Sequence, residues 1–330
     1  MSDSMQRIAV LGGGVIGSVY ASWLVEAGHQ VTVVARGQRL SDLRDHGLIT
    51  VNAETGQRTV ARISTTDHLA PDDAYDLVIV AVQLEQVADV LPMLRANTRI
   101  PTMLFLLNNA FGAKEFPAAI GDNRVVLGFP GVGGQREGAT ITYYILPQQP
   151  TTLGEVSGQL TPRLRGLADL ITATGHTVAL SSHMDAWLKT HAVFVTSLTA
   201  ALAACGSDSV RLAQNHRQMV TMVRAIQEGF AALRKQGIRV TPTNLAALFD
   251  VMPSWFAVRY WRHALQGPLG TLVFAPHARA ARSEMAALAV QVLTQLQPQR
   301  EEIPTLDQLL SQLIAMTPES ASGRSKVTVG

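Results

Sequence analysis

Cysteine is almost absent from the chain. A single Cys205 in 330 residues excludes an internal disulfide framework and any cysteine-rich metal site. Charge is scarce as well: Asp, Glu, Lys and Arg together make 16% against a usual quarter, which predicts that much of the chain is buried. The two signs nearly cancel, with 27 basic and 25 acidic residues and a formal charge of +2. That balance argues against a protein organised around nucleic-acid phosphates. Lysine is the rarest of the charged types, at Lys114, Lys189, Lys235 and Lys326 only; the other basic residues are arginines. The longest apolar stretch, 192–205, is too short and too rich in Thr and Ser to span a bilayer. Residues 1–7 lack the charged-then-apolar run of a signal peptide, so a cytoplasmic, reducing setting is expected. No His/Asp/Glu set has metal-ligand spacing, no internal repeat is visible, and no metal is expected.

Hydrophobic residues make 47% of the chain, and its length suits two ordinary domains. Residues 7–11 (RIAVL) form a run of strand length that ends directly in Gly12-Gly13-Gly14-Val15-Ile16-Gly17. A helical pattern follows over 18–27, stopped by Gly28, and 30–35 (QVTVVA) reads as a second strand. The unit has the size of a βαβ element. In its Gly-x-Gly-x-x-Gly pattern, Gly12 permits the tight turn, Gly14 lets the backbone approach a pyrophosphate, and Gly17 allows close helix packing. The helix N-terminus at Val15, Ile16 and Gly17 offers N–H groups and a positive dipole to phosphates. The alternative is a glycine-rich turn without a ligand. At the end of the second strand, where NAD sites place Asp or Glu, stand Ala35-Arg36-Gly37, with Arg39 close behind. An arginine fork suits a 2′-phosphate and favours NADPH; otherwise Arg36 is a solvated loop arginine.

Residues 76–82 and 102–107 are near-continuous apolar runs, as in central parallel strands. Gln83 and Asn109 follow their carboxyl ends and are candidate cofactor or substrate contacts by position. Runs at 125–129, 140–146 and 151–154 predict further strands, separated by the glycine-rich 131–138 and closely spaced enough to suggest an antiparallel extension of the sheet. After Ser181 strand signals stop. Helical periodicity covers 185–204, 210–236, 243–249, 279–295 and 306–316, and a polar, Ser-rich tail runs from Pro318 to Gly330. The expected fold is an α/β Rossmann-type dinucleotide-binding domain (1–181) followed by an all-α C-terminal domain (182–330), its tail 318–330 flexible.

The sequence resembles the ketopantoate reductase (2-dehydropantoate 2-reductase) family over most of its length. The resemblance rests on Gly12-x-Gly14-x-x-Gly17, Ala35-Arg36, residues 80–86 (VAVQLEQ), Asn109-Ala110-Phe111-Gly112, the 127–138 segment and Trp187-Leu188-Lys189. It implies NADPH-dependent reduction of a 2-oxo acid to a 2-hydroxy acid, nominally ketopantoate to pantoate, as in pantothenate biosynthesis. It further implies Lys189 as general acid, Asn109 against nicotinamide ribose and substrate, and Arg36 on the 2′-phosphate. Glu284 would position ribose and lysine, and Gly134 would lie beside the nicotinamide end. Hydride addition to a ketone builds negative charge on oxygen, which an ammonium can stabilise and protonate. A buried lysine needs a partner, a place Glu284 suits, whereas a snorkelling lysine keeps its head in water.

The sequence departs from the family around the substrate. Val193 and Ser197 stand at i+4 and i+8 from Lys189, where the family tends to place asparagines, and 270–275 (GTLVFA) replaces a Ser-Ser-Met-x-x-Asp run. Gln83 stands where a lysine is common. Ser197 and Thr271 are the remaining candidate substrate contacts, and Trp255, Phe256, Tyr260, Trp261 and Phe274 either line a pocket or form core. Losing polar contacts worth about 1–3 kcal/mol each shifts substrate preference by orders of magnitude. A less polar carbonyl or imine substrate, and a non-catalytic NADP-binding sensor, are the alternative functions. His191 lies on a different helix face from Lys189 and reads as packing, and His277 near Glu284 is a weaker candidate. A small-molecule substrate is expected, with no nucleic acid and no membrane, and a homodimer is compatible with the apolar helices.

Overall fold

A computed structural model describes residues 5–111, 114–146 and 148–317. By their contacts these fall into two units, and Asn109–Phe111 joins the chain from Ala186 onward rather than its neighbours in sequence.

The first unit carries twelve strands among its described residues. These are β1 (Arg7–Leu11), β2 (Gln30–Val34), β3 (Leu48–Asn52), β4 (Arg58–Ala61), β5 (Ser64–Thr66), β6 (Leu77–Val80), β7 (Met103–Leu106), β8 (Val125–Phe129), β9 (Val132–Glu137), β10 (Thr140–Ile145), β11 (Thr151–Glu155) and β12 (Val178–Leu180). Its helices are α1 (Val15–Glu26), α2 (Gly37–His46), α3 (Val87–Ala96), α4 (Glu115–Ile120) and α5 (Pro162–Thr172). The large sheet has the order β12-β11-β8-β7-β6-β1-β2-β5, parallel except where β11 meets β8. The central β6 and β7 are buried at every position, as a strand covered on both faces must be. The chain winds outward from β1 through β2 to β5, then returns to β6 on the other side of β1. The carboxyl ends of β1 and β6 therefore flank the point where strand order reverses, which is where open α/β sheets bind ligands.

The antiparallel extension exists only in part: β11 extends the large sheet, but β9 and β10 do not. The glycine-rich 131–138, expected as a separator, contains β9, which pairs with β10. β10 also runs parallel to β3, giving a second sheet of order β4-β3-β10-β9. That sheet explains α1, which is buried continuously from Gly17 to Leu24 because it packs between the two sheets. Gly17, Ser18, Ala21 and Ser22 keep the helix thin enough to fit. Val10 and Val33 of the large sheet and Ile141 of the small one close on the same core.

The second unit is helical. It comprises α6 (Met184–Ala204), α7 (Ser209–Gln214), α8 (His216–Lys235), α9 (Thr243–Asp250), α10 (Ser254–Gln266), α11 (Ala275–Ala280), α12 (Arg282–Gln295) and α13 (Pro304–Ala315), with a π-helical turn at Leu269–Phe274. The helix expected over 210–236 breaks at Asn215, whose side chain accepts the Gln218 N–H and caps α8. The helix expected from 279 starts at Arg282, and α10 carries the aromatic stripe. α6 stays buried despite its Thr and Ser because Thr190, Thr196 and Ser197 return their hydroxyls to carbonyls one turn back. Residues 318–330, expected as a tail, lie outside the described residues.

Candidate active site

Each glycine of the 12–17 loop answers a different demand. Gly12 has φ +111°, and a Cβ there would lie 2.5 Å from the Ala81 carbonyl oxygen just beyond β6. A Cβ on Gly17 would lie 1.9 Å from the Gly12 carbonyl oxygen. The protein's own packing therefore requires both. Gly14 is different: it is exposed, it forms the N-cap of α1 without a side-chain cap, and a Cβ there would meet nothing within 4 Å. The N–H groups of Val15, Ile16 and Gly17 open the helix beside it, where no acidic residue intrudes. First-turn N–H groups have no intrahelical acceptor. Open space, a backbone of donors and a positive dipole together fit a pyrophosphate.

Arg36 and Arg39 do not form one fork. Arg36 is exposed at the end of β2, and its Nε donates to the Asp67 carbonyl at 3.4 Å. Arg39 turns inward: Nε donates to the Gly13 carbonyl at 2.7 Å, Nη2 to Ser18 Oγ at 3.0 Å, and Nη1 to the Ala139 carbonyl at 3.0 Å. It ties the glycine loop to α1 and to the turn after β9. Its spacing, beside Leu40 and one turn before Leu43 on the buried side of α2, was the available signal. Gln83 caps the short 3₁₀ turn that follows β6, exchanging hydrogen bonds with Gln86. Gly134 lies in β9, and a Cβ there would come within 2.2 Å of the Thr142 carbonyl oxygen of β10, so the adjacent strand already demands glycine at that position.

In the helical unit, Asn109 is 1% exposed and its Oδ1 accepts the Phe111 N–H at 2.9 Å. Lys189, in the second turn of α6, and Glu284, in the first turn of α12, are each 8% exposed. A carboxylate in a first turn is favoured by the helix dipole. Asn109, Lys189 and Glu284 thus belong to one unit, although about half of the chain lies between the first and the last of them.

Val193 and Ser197, the positions one and two turns after Lys189 along α6, are buried. Ser197 is fully buried, and its hydroxyl donates to the Val193 carbonyl at 2.7 Å. Val193 presses Cγ1 to within 2.4 Å of where a Cβ on Gly229 of α8 would stand. Thr271 is exposed in the π-helical turn, and its hydroxyl donates to the Gly267 carbonyl at 3.2 Å. The aromatic stripe divides. Trp261 is buried against Phe194 and Phe249 with ring centroids 5.0 and 6.4 Å away, whereas Trp255 is 67% exposed. His191 lies flat on Trp187, and burial, with His277 as a second cause, lowers its pKa to about 3. Burial also lowers the pKa of His277, so neither imidazole carries charge near neutrality. Among the described residues, no group of three or more His, Cys, Asp and Glu could hold a metal ion, and no helix is long and apolar enough to cross a membrane.

Comparison with known proteins bears on the same regions. Residues 8–158 match the family described as Ketopantoate reductase PanE/ApbA. That stretch, a little under half of the chain, is similar to the ketopantoate reductase family. A PanE/ApbA family ketopantoate reductase from Ralstonia eutropha JMP134 superposes with a TM-score of 0.76 at 19% identity, over 94% of this chain and 98% of its own. A 2-dehydropantoate 2-reductase from Geobacter metallireducens GS-15 gives 0.75 at 15%, over 94% and 100%. A D-mandelate dehydrogenase solved with NADH and anilino(oxo)acetate gives 0.75 at 13%, over 94% and 97%. These ketopantoate reductases and their dehydrogenase neighbour share the fold of this chain across both units.

Proposed function

We propose that the protein uses NADPH to reduce a 2-oxo acid to a 2-hydroxy acid, with Lys189 as the general acid. The observation that carries this reading is a lysine only 8% exposed in the same unit as the equally buried Glu284 and the buried Asn109. A buried ammonium is costly unless it has work and partners. Residues up to 181 would bind the cofactor, with Gly12, Gly14, Val15, Ile16 and Gly17 on its pyrophosphate and Arg36 on its 2′-phosphate. Gln83 and Gly134 would lie along it, and the helical residues from 182 would hold the substrate. The reduced nicotinamide supplies the hydride. Asn109 would orient the oxo acid and the ribose, and Glu284 would position the ribose and Lys189. Lys189 Nζ would donate a hydrogen bond to the keto oxygen, then give up its proton as the alkoxide forms.

The nominal substrate is ketopantoate. A second reading, a substrate with a less polar side chain, is favoured by the absence of asparagine along the Lys189 helix and by the internal bonds of Ser197 and Thr271. The D-mandelate dehydrogenase neighbour, solved with anilino(oxo)acetate, whose oxoacetate bears a phenylamino group, supports including aryl-substituted acids in the test. NADPH oxidation is therefore measured with ketopantoate, aliphatic 2-oxo acids and aryl 2-oxo acids. Preference for ketopantoate supports the first reading; a preference for apolar acids supports the second. Lys189→Ala is expected to cost about 10²–10⁴ in kcat with NADPH binding intact. An unchanged rate would remove Lys189 from the reaction, and no turnover of any carbonyl or imine would leave a nucleotide-binding sensor. Arg36→Ala should weaken NADPH far more than NADH; equal weakening refutes the 2′-phosphate contact.

A further inference from the structure

We infer that Gln291 is a positioning residue for the oxo-acid site, holding Asn109 in place by accepting the N–H of the next residue, Ala110. The inference rests on the proposed role of Asn109. Chain order puts residues 109–111 directly after β7, yet their contacts place them with the helical unit. The hydrogen bond that carries this attachment runs from Ala110 N–H to Gln291 Oε1 at 3.0 Å, between residues 181 apart in sequence. Asn109 Oδ1 is meanwhile committed to the Phe111 N–H, which leaves Nδ2 as the donor end of its amide. Two hydrogen bonds in three residues thus fix the backbone that carries Asn109 and the orientation of its side chain.

Gln291 stands seven residues after Glu284 in α12. Seven residues make almost two full turns, so both project from one stripe of the helix, about 10 Å apart along its axis. The same straight element then carries the carboxylate proposed for ribose and lysine and the anchor for Asn109. The next polar residue of that stripe behaves alike: Gln295 Nε2 donates to Gln236 Oε1 at 2.7 Å, outside its own helix. Side chains held by neighbours with their own fixed partners keep the sub-ångström placement that oriented reactants need.

The test compares Gln291→Leu, which removes the acceptor at similar volume, with Gln291→Glu, which keeps an acceptor oxygen. Asn109→Ala and the double variant Asn109→Ala/Gln291→Leu are measured in parallel. Readouts are kcat and KM for the best 2-oxo acid, binding of 2′,5′-ADP as a probe of the adenine end, and Tm. Gln291→Leu is expected to lose about tenfold or more in kcat/KM while 2′,5′-ADP binding stays within about twofold. Gln291→Glu should recover most of the loss, and Gln291→Leu should add little on top of Asn109→Ala. Unchanged kcat/KM in Gln291→Leu beside a crippled Asn109→Ala overturns this inference alone. A silent Asn109→Ala overturns it together with the reading it rests on. Equal loss in both Gln291 variants with weakened 2′,5′-ADP binding, or full additivity in the double variant, also overturns it.

Discussion

The glycine loop after β1 and the lysine helix α6 are both candidate chemistry, built in opposite ways. The loop works by omission: side chains are missing where backbone must touch backbone, at Gly12 and Gly17, and where space stays open, at Gly14. The helix works by enclosure: Lys189 is buried in α6, where the Thr190 and Ser197 hydroxyls are bonded to carbonyls of the same helix. A site read by backbone depends on spacing along a few consecutive residues. A site made of side chains depends on what the rest of the fold brings against them. The two halves should therefore fail differently when altered.

The sharpest contrast lies within the loop. Gly17→Ala forces a Cβ into the Gly12 carbonyl and should destabilise the protein by about 3 kcal/mol or more, seen as a large fall in Tm. Gly14→Ala meets no protein atom, so folding should lose less than about 1 kcal/mol. NADPH affinity should nonetheless fall about tenfold or more, roughly 1.4 kcal/mol. Similar stability losses in both would erase the distinction between packing glycine and ligand glycine. In the helix, Val193→Asn puts an amide against Gly229 and should cost about 2 kcal/mol or more, with no gain toward ketopantoate. A tenfold rise in kcat/KM for ketopantoate would return Val193 to the substrate.

Two smaller effects follow from the helical unit. His191 is held at a pKa of about 3 against an ordinary 6.5, so between those values the unfolded chain binds a proton the native one refuses. The associated stability is present above pH 6.5 and is lost as pH falls toward 3. His191→Phe should flatten the decline of Tm over pH 6.5–4.5; an unaltered slope would assign the decline to other groups. Ser207, at φ 57° with a buried hydroxyl that has no partner among the described residues, closes the turn between α6 and α7. Ser207→Gly should raise stability by about 0.5–1 kcal/mol in urea unfolding, and a loss would show that the hydroxyl is satisfied in solution.

Much of the first unit was legible in its residues. β1, α1, β2 and the central β6 and β7 follow from short apolar runs and the glycine loop, because their signals are local. The second sheet was not. β9 was hidden by its glycines, which read as loop residues although Gly134 is small because β10 passes beside it. The β3–β10 pairing joins segments about ninety residues apart with no local mark. Arg39 looked like a companion to Arg36, and only the turn of α2 sends it inward. Asn215 looked like helix interior and is a cap.

By itself the sequence determined a βαβ start with a dinucleotide-type loop, a helical second half, and one lysine placed early in a long apolar helix. Spacing and hydrophobic period encode such things within a few residues. Tertiary structure alone decided which glycines are spent on packing, that Arg39 braces the loop, that Val193 presses on Gly229, and that Asn109–Phe111 belongs with the helices. Ala81 beside Gly12, Ala139 on Arg39, Gly229 beside Val193 and Gln291 on Ala110 all come from distant parts of the chain, and no local pattern records which neighbour will arrive.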